Sequence, residues 1–163
     1  MSPVEAAAAL VIVLLLSGWW LSWLATRVDR AHHRVERAWA ALDAALVRRA
    51  QRVTEIAGSP GLDPASALLL SDAAMTALEP DLAPAEREQA ESDLSHLLGL
   101  IDPARMGAEQ DRAALGRRLY NDAVATACAL RQRRTVRVFR LAGHAQAPRT
   151  FEMADPGKLV WPP

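Results

Sequence analysis

Residues 6–25 read AAAALVIVLLLSGWWLSWLA, about twenty residues without a charge, the length of helix that crosses the hydrocarbon core of a bilayer. This predicts a transmembrane helix within an N-terminal anchor of residues 1–26. Trp19, Trp20 and Trp23 gather at the C-terminal end of the run. Indole rings favour the headgroup layer because each presents an apolar body and one N–H donor, so that end is expected at an interface. A secretory signal would begin with basic residues and place small residues three apart before its cleavage site. Here the start carries Glu5 and no Lys or Arg, and Trp23 stands two positions before Ala25. Continuous apolarity with an aromatic rim also argues against a buried helix of a soluble protein.

Orientation follows from the flanks. Arg27, Arg30, Arg34 and Arg37 follow the run closely and nothing basic except the terminal amine precedes it. Basic residues stay on the cytoplasmic side, which predicts a single-pass protein of the cell membrane with its N-terminus outside and its C-terminal body in the cytoplasm.

Between Arg27 and Ala57 there is neither Gly nor Pro, so the helix is expected to continue out of the bilayer. Val28, Ala31, Val35, Ala38, Trp39, Leu42, Leu46, Ala50, Val53 and Ala57 recur at three- and four-residue steps, an amphipathic stalk. Gly58-Ser59-Pro60-Gly61 ends it. Asp63-Pro64 restarts a helix with an acidic cap and a first-turn proline, running from Ala65 to Leu78 with Leu68, Leu69, Leu70, Ala74 and Leu78 apolar. After the turn Glu79-Pro80-Asp81-Leu82-Ala83-Pro84, a third helix is predicted from about Ala85 to Ile101, with Ala90, Leu94, Leu97, Leu98 and Ile101 on one face. Asp102-Pro103 closes it. A fourth is predicted from about Ala108 to Arg134, its stripe being Leu115, Leu119, Ala123, Thr126, Ala127 and Leu130. Short turns make neighbours antiparallel, so residues 27–135 are expected to close as an all-α, up-down four-helix bundle. In residues 136–163, Val136, Val138 and Leu141 alternate with Arg137 and Arg140 before Gly143 and a Pro-bounded tail, which fits a short strand or a packed loop better than helix.

The 163 residues carry nineteen bases and nineteen acids, net zero, which removes the case for a globally basic nucleic-acid binder. Charge is nevertheless segregated. Residues 53–111 hold twelve acids and two bases, residues 27–52 seven bases and three acids, and residues 112–163 ten bases and three acids. Antiparallel packing would set an acidic helix pair against a basic pair. The single cysteine, Cys128, excludes an intrachain disulfide framework and a several-thiolate zinc site.

Ala38-Trp39-Ala40-Ala41-Leu42-Asp43-Ala44-Ala45-Leu46-Val47-Arg48-Arg49 resembles the first-helix signature of the LemA family, AW-x-x-(I/L)-D-x-x-L-x-R-R, shortly after an N-terminal anchor. Arg117-Arg118-Leu119-Tyr120-Asn121-Asp122-Ala123-Val124 resembles the family's R-R-x-Y-N-D-A-V in the last long helix, and Val138-Phe139-Arg140-Leu141-Ala142-Gly143 with Phe151-Glu152 is similar to its ending. Together these matches span most of the chain. The family continues after R-R with I-P-N-L-V and a longer helix, whereas Ala50-Gln51-Arg52-Val53-Thr54-Glu55 runs into Gly58-Ser59-Pro60. The resemblance therefore implies a divergent member with a shortened first hairpin: a bacterial, membrane-anchored antiparallel helical protein, with no catalytic activity to carry over.

Side-chain chemistry points the same way. His32 and His33 are adjacent and face different sides of a helix, and His96 and His144 lack a partner at ligand spacing, so neither metal nor cofactor is expected. Cys128 lies near the apolar stripe of the fourth helix and reads as core. Glu86, Glu88, Glu91 and Asp93 read as a solvated face. Trp39 is expected to pack across the bundle, and Asp43 to pair with Tyr120, Asn121 or an arginine of the fourth helix. Gly18 and Ser22 form a small-xxx-small pair that leaves homo-oligomers open. Arg131, Arg133, Arg134, Arg137 and Arg140 are the candidate lipid contacts, returning toward the membrane beside Arg27 and Arg30. No stacking aromatics interleave with them, as single-strand RNA binders require. The reading is a non-enzymatic scaffold or adaptor with its basic end at the inner leaflet and its acidic hairpin offered to a protein partner. The alternative is an accessory subunit regulating a membrane enzyme or protease.

Overall fold

The helix that starts in the apolar run does not stop where the run ends. In a computed structural model, which describes residues 2–101, 103–139 and 146–154, α1 extends unbroken over Pro3–Ala57, 55 residues, about 80 Å at 1.5 Å per residue. It is long and apolar enough to cross a membrane, and none of its most apolar 18-residue window is buried. Gly58 ends it, donating its N–H to the Thr54 carbonyl at 3.1 Å. The turn beyond needs Gly61, whose φ of +95° suits a residue without a Cβ. Arg105 ties this tip down, donating to Ser59 Oγ and the Pro60 carbonyl, each at 3.2 Å.

Local chemistry also sets the next two helices. In α2, Pro64–Ala77, Asp63 caps the start by accepting the N–H groups of Ala65 and Ser66 at 3.0 and 3.1 Å. Hydrogen bonds from Ser66, then Ala65, hold the Asp63 carboxyl below its usual range. In α3, Pro84–Leu97, the Glu86 carboxylate accepts the Ala83 N–H at 3.0 Å. α3 then tightens into a 3₁₀ turn, Leu98–Leu100, so the predicted helix to Ile101 is shortened. A second 3₁₀ turn, Pro103–Arg105, leads to α4, Glu109–Arg131.

α4 ends three residues before its predicted boundary. Gln132 and Arg133 close the turn, and Arg133 takes an extended conformation (φ −59°, ψ 133°). A five-residue α5, Arg134–Val138, follows, where the sequence reads as strand or loop. Val136 is buried at 1% exposure while Val138 stands 74% exposed, so one turn of helix serves a single apolar anchor. A two-valine alternation is too short to distinguish that from a strand. Among the described residues every element is helical. Arg140 and Leu141 through Ala145, Asp102 and the tail 155–163 lie outside the described residues.

The chain divides into two compact units. In the first, residues 2–36, 123–139 and 146–149, Leu24, Val28 and Val136 form a small core. In the second, residues 37–122 and 150–154, the larger core joins Ala50, Val53 and Ile56 of α1, Leu70, Ala74 and Ala77 of α2, and Ala90 and Leu94 of α3, with Leu98, Ile101 and Met106. Two predicted stripes are corrected. In α2, Leu70 and Ala74 are buried as predicted, but Leu68 and Leu69 are exposed and Ala77 is buried in their place. In α4, Ala123, Ala127 and Leu130 are buried as the stripe predicts, but Leu115, Leu119 and Thr126 are exposed, and Ala113, Tyr120 and Val124 are buried instead. The cause lies at Gly116, where an added Cβ would stand 3.3 Å from Leu42 Cα. Close backbone approach, not side-chain size, selects the buried face.

Gly116→Val should therefore lower unfolding stability by about 1–3 kcal/mol through overpacking, read from the urea midpoint of the detergent-solubilised protein. Asp63→Asn keeps the cap without the charge. The depressed Asp63 pKa gives stability that is full above the ordinary carboxylate value and lost as pH falls through the folded one. The variant should show a flatter acid limb when melting temperature is followed against pH.

Candidate functional site

Steps of four, three and four place Trp23, Arg27, Arg30 and Arg34 on one face of α1. At roughly 100° per residue, Asp29 and Glu36 fall on the opposite face, and Glu36 meets His33 Nδ1 at 2.9 Å there. The four aligned residues, with Ala31, make one wall of a groove of about 610 Å³. Thr126, Ala129 and Leu130 of α4, and Arg133 beyond its end, make the other. The early end of α4 thus brings Arg133 into the site. The Arg27 guanidinium lies 5.6 Å from the Trp23 ring centre, a cation–π contact. Arg30, Arg34 and Arg133 make no side-chain ion pair or hydrogen bond among the described residues.

Elsewhere in the first unit a defined chain of bonds ties α1 to α4. His32 Nδ1 lies 3.1 Å from the Val28 carbonyl, and its Nε2 lies 3.2 Å from Arg131 Nη1. Cys128, predicted as core, is half-buried and donates Sγ–H to the Pro148 carbonyl at 3.6 Å. The five arginines read as one basic cluster therefore differ. Arg131 is bonded to His32, Arg133 lines the groove, Arg134 and Arg137 are exposed on α5, and Arg140 lies outside the described residues. Trp19, Trp20 and Trp23 are exposed by 72%, 43% and 47%.

The second unit gathers the signature residues. Leu42, Leu46 and Arg49 are fully buried, and Ala38 is half-buried. Arg49 Nη2 donates to Glu91 Oε2 at 2.5 Å and to the Glu91 carbonyl at 3.0 Å; Nη1 donates to Ser95 Oγ at 3.0 Å and Gln110 Oε1 at 3.4 Å. Burial pushes the Arg49 guanidinium below its usual range, and Glu91 opposes that shift. Arg87 bridges outward, donating to Glu91 Oε1 at 3.3 Å and to Asp43 Oδ1 at 3.1 Å. Asp43 thus pairs with α3, correcting the expected partner on the fourth helix. Glu91 is wholly buried, correcting the solvated acidic face; its place between Ala90 and Leu94 on the buried stripe was the available signal.

Trp39, 38% exposed, meets Tyr120 and Phe151 with ring centres 5.3 and 5.7 Å apart. Asn121 clamps Phe151, donating Nδ2–H to its carbonyl at 3.1 Å and accepting its N–H at 2.9 Å. Arg117 donates to the Met153 carbonyl at 3.2 Å, while Arg118 is exposed. Glu88 Oε1 accepts the Glu152 N–H at 3.0 Å, and Ser92 Oγ accepts that of Ala154 at 3.2 Å. The Trp39 and Arg117–Asn121 motifs meet on one extended segment, residues 150–154. Among the described residues no group of three His, Cys, Asp or Glu side chains is placed to hold a metal. No protein-family model, curated protein or solved structure matches the chain.

Removing Glu91 strands a buried guanidinium, so Glu91→Ala should cost about 3–5 kcal/mol. Asp43→Ala, at a pair whose acid is 45% exposed, should cost less than about 1 kcal/mol. Urea unfolding of both variants checks the contrast, and replacing Arg49 and Glu91 together by Met should recover part of the larger loss.

Proposed function

We propose that the protein is a membrane-tethered, non-enzymatic helical scaffold of the LemA-like type. Its N-terminus lies outside the cell. Its helices close as an antiparallel four-helix bundle in the cytoplasm, with the basic end at the inner leaflet. The observation that carries this reading is the unbroken passage of α1 from an exposed apolar run, through an aromatic rim, into residues buried in the helical body. A break at the rim would allow a cleaved or loosely linked leader; α1 has no such break over Pro3–Ala57.

Charge supports the same arrangement. The first unit holds nine arginines against three acids, and the rest of the chain ten bases against sixteen acids. A basic unit that carries the apolar run suits an anionic leaflet, and an acidic unit suits a basic protein partner. Asp72, Glu79 and Asp93 are exposed on or beside α2 and α3 and are available for such contact. The LemA-like positions Leu42, Leu46, Arg49, Tyr120 and Asn121 hold elements together, which is the role expected of motifs that specify a scaffold. A second reading, an accessory subunit of a membrane enzyme or protease, is favoured by Leu68, Leu69 and Met75, exposed by 71%, 51% and 59% on α2, because exposed apolar residues suit a lasting partner.

The test is single-cysteine labelling in intact cells, with Ser2→Cys or the exposed Thr76→Cys in a Cys128→Ala background. An impermeant maleimide should label position 2 and spare position 76 until the cells are broken. Labelling of position 76 from outside would invert the orientation and remove the inner-leaflet role.

A further inference from the structure

We propose that the arginine groove of the first unit binds the headgroup of a lipid carrying at least two phosphates, one at the level of ordinary lipid phosphates and one standing further from the membrane. The proposal rests on reading α1 as the membrane anchor and goes beyond a diffuse attraction to anionic lipid. An exposed arginine in water needs no partner. What sets Arg27, Arg30, Arg34 and Arg133 apart is that they line a single concavity with no carboxylate among its lining residues. The nearby acids Asp29 and Glu36 belong to the opposite face of α1. Four guanidiniums of one sign, held at one opening, call for more than one negative charge. The fork of each matches phosphate oxygens two at a time.

Depth narrows the ligand. Taking Trp23 as the interface level, Arg27, Arg30 and Arg34 stand about 6, 10 and 16 Å further along the helix. The polar layer of one leaflet is only about 5–8 Å thick. A lipid with one phosphate meets Arg27, and Arg30 at its reach, while Arg34 stands beyond the layer. A second phosphate projecting outward reaches it. The remaining lining, Trp23, Ala31, Thr126, Ala129 and Leu130, presents one hydroxyl and one indole, whose ring face is already taken by the Arg27 guanidinium. Such a surface offers no pattern of donors for reading a sugar or base, so phosphate is the recognised group. The volume of about 610 Å³ lies within the ordinary range of small-molecule sites.

The experiment uses the full chain in phosphatidylcholine nanodiscs, measuring retention of radiolabelled farnesyl diphosphate, with phosphatidylglycerol and inorganic pyrophosphate as competitors. Saturable binding is expected, displaced only weakly by either competitor at equal concentration. Each arginine near an anionic group contributes roughly fivefold, so the Arg30→Gln, Arg34→Gln, Arg133→Gln triple variant should weaken binding by about a hundredfold. Arg134→Gln with Arg137→Gln, equally exposed but outside the groove, should leave it within about twofold. Equal loss in both variants, or equal competition by phosphatidylglycerol, would reduce the groove to diffuse electrostatics and overturn the proposal. Inorganic pyrophosphate binding as tightly as the lipid would make it a site for a soluble diphosphate and overturn the lipid assignment. No binding at all would overturn it outright. Alkaline carbonate extraction from cell membranes reads the anchor separately. Loss of the chain from the membrane there would sink the anchoring reading, whereas retention with no binding sinks only the groove.

Discussion

The second unit is organised around one buried charge. Arg49 is supplied by α1, its carboxylate and a carbonyl by Glu91 of α3, a hydroxyl by Ser95, and an amide oxygen by Gln110 at the start of α4. A guanidinium with no exposure is expensive to desolvate, and its neighbours offset that cost only while every bond is made. Sliding any one of the three helices by a turn, about 5 Å, would strand the ion. Apolar contacts among alanines and leucines tolerate such a shift far better, so the polar cluster specifies the register and the apolar core supplies most of the burial.

The same constraint explains the division of labour among the acids. Glu91 neutralises Arg49, and Arg87 carries the link outward to Asp43 at the surface. Glu86 caps α3, and Glu88 holds the Glu152 N–H. A run that resembles a uniform acidic face is thus largely committed to internal bonds. Arg30, Arg34 and Arg133, by contrast, make no side-chain ion pair among the described residues.

The end of α1 and the starts of α2 and α3 were legible in the sequence because they are written in local chemistry. Gly58, Asp63-Pro64 and Pro84 act within one turn of themselves, and the structure places ends there. Buried faces were less legible. α4 carries apolar residues all round, so periodicity favoured Leu115 and Leu119, whereas the close approach of Gly116 to Leu42 turns the face of Ala113, Tyr120 and Val124 inward. Glu91 was hidden for a related reason: an acid among acids reads as surface, and only its phase with Ala90 and Leu94 marks it as buried. The groove was half visible. The alignment of Trp23, Arg27, Arg30 and Arg34 is a property of one helix, but the arrival of Arg133 depends on where α4 ends, which a run of Arg, Gln and Thr does not announce.

The two units are not consecutive lengths of chain. The path enters the first, builds most of the second, returns to the first at Ala123 and comes back to the second at Thr150. Biosynthesis meets these segments in order. α1 leaves the ribosome first, yet Trp39 and Tyr120 gain their third ring only when Phe151 follows. At several residues per second, the unit waits seconds with that aromatic face unfinished and the Asn121 amide unclamped. Neither unit can close before nearly all of the described chain has been made, so a nascent or prematurely terminated product displays an open aromatic face to the quality-control machinery of the cell.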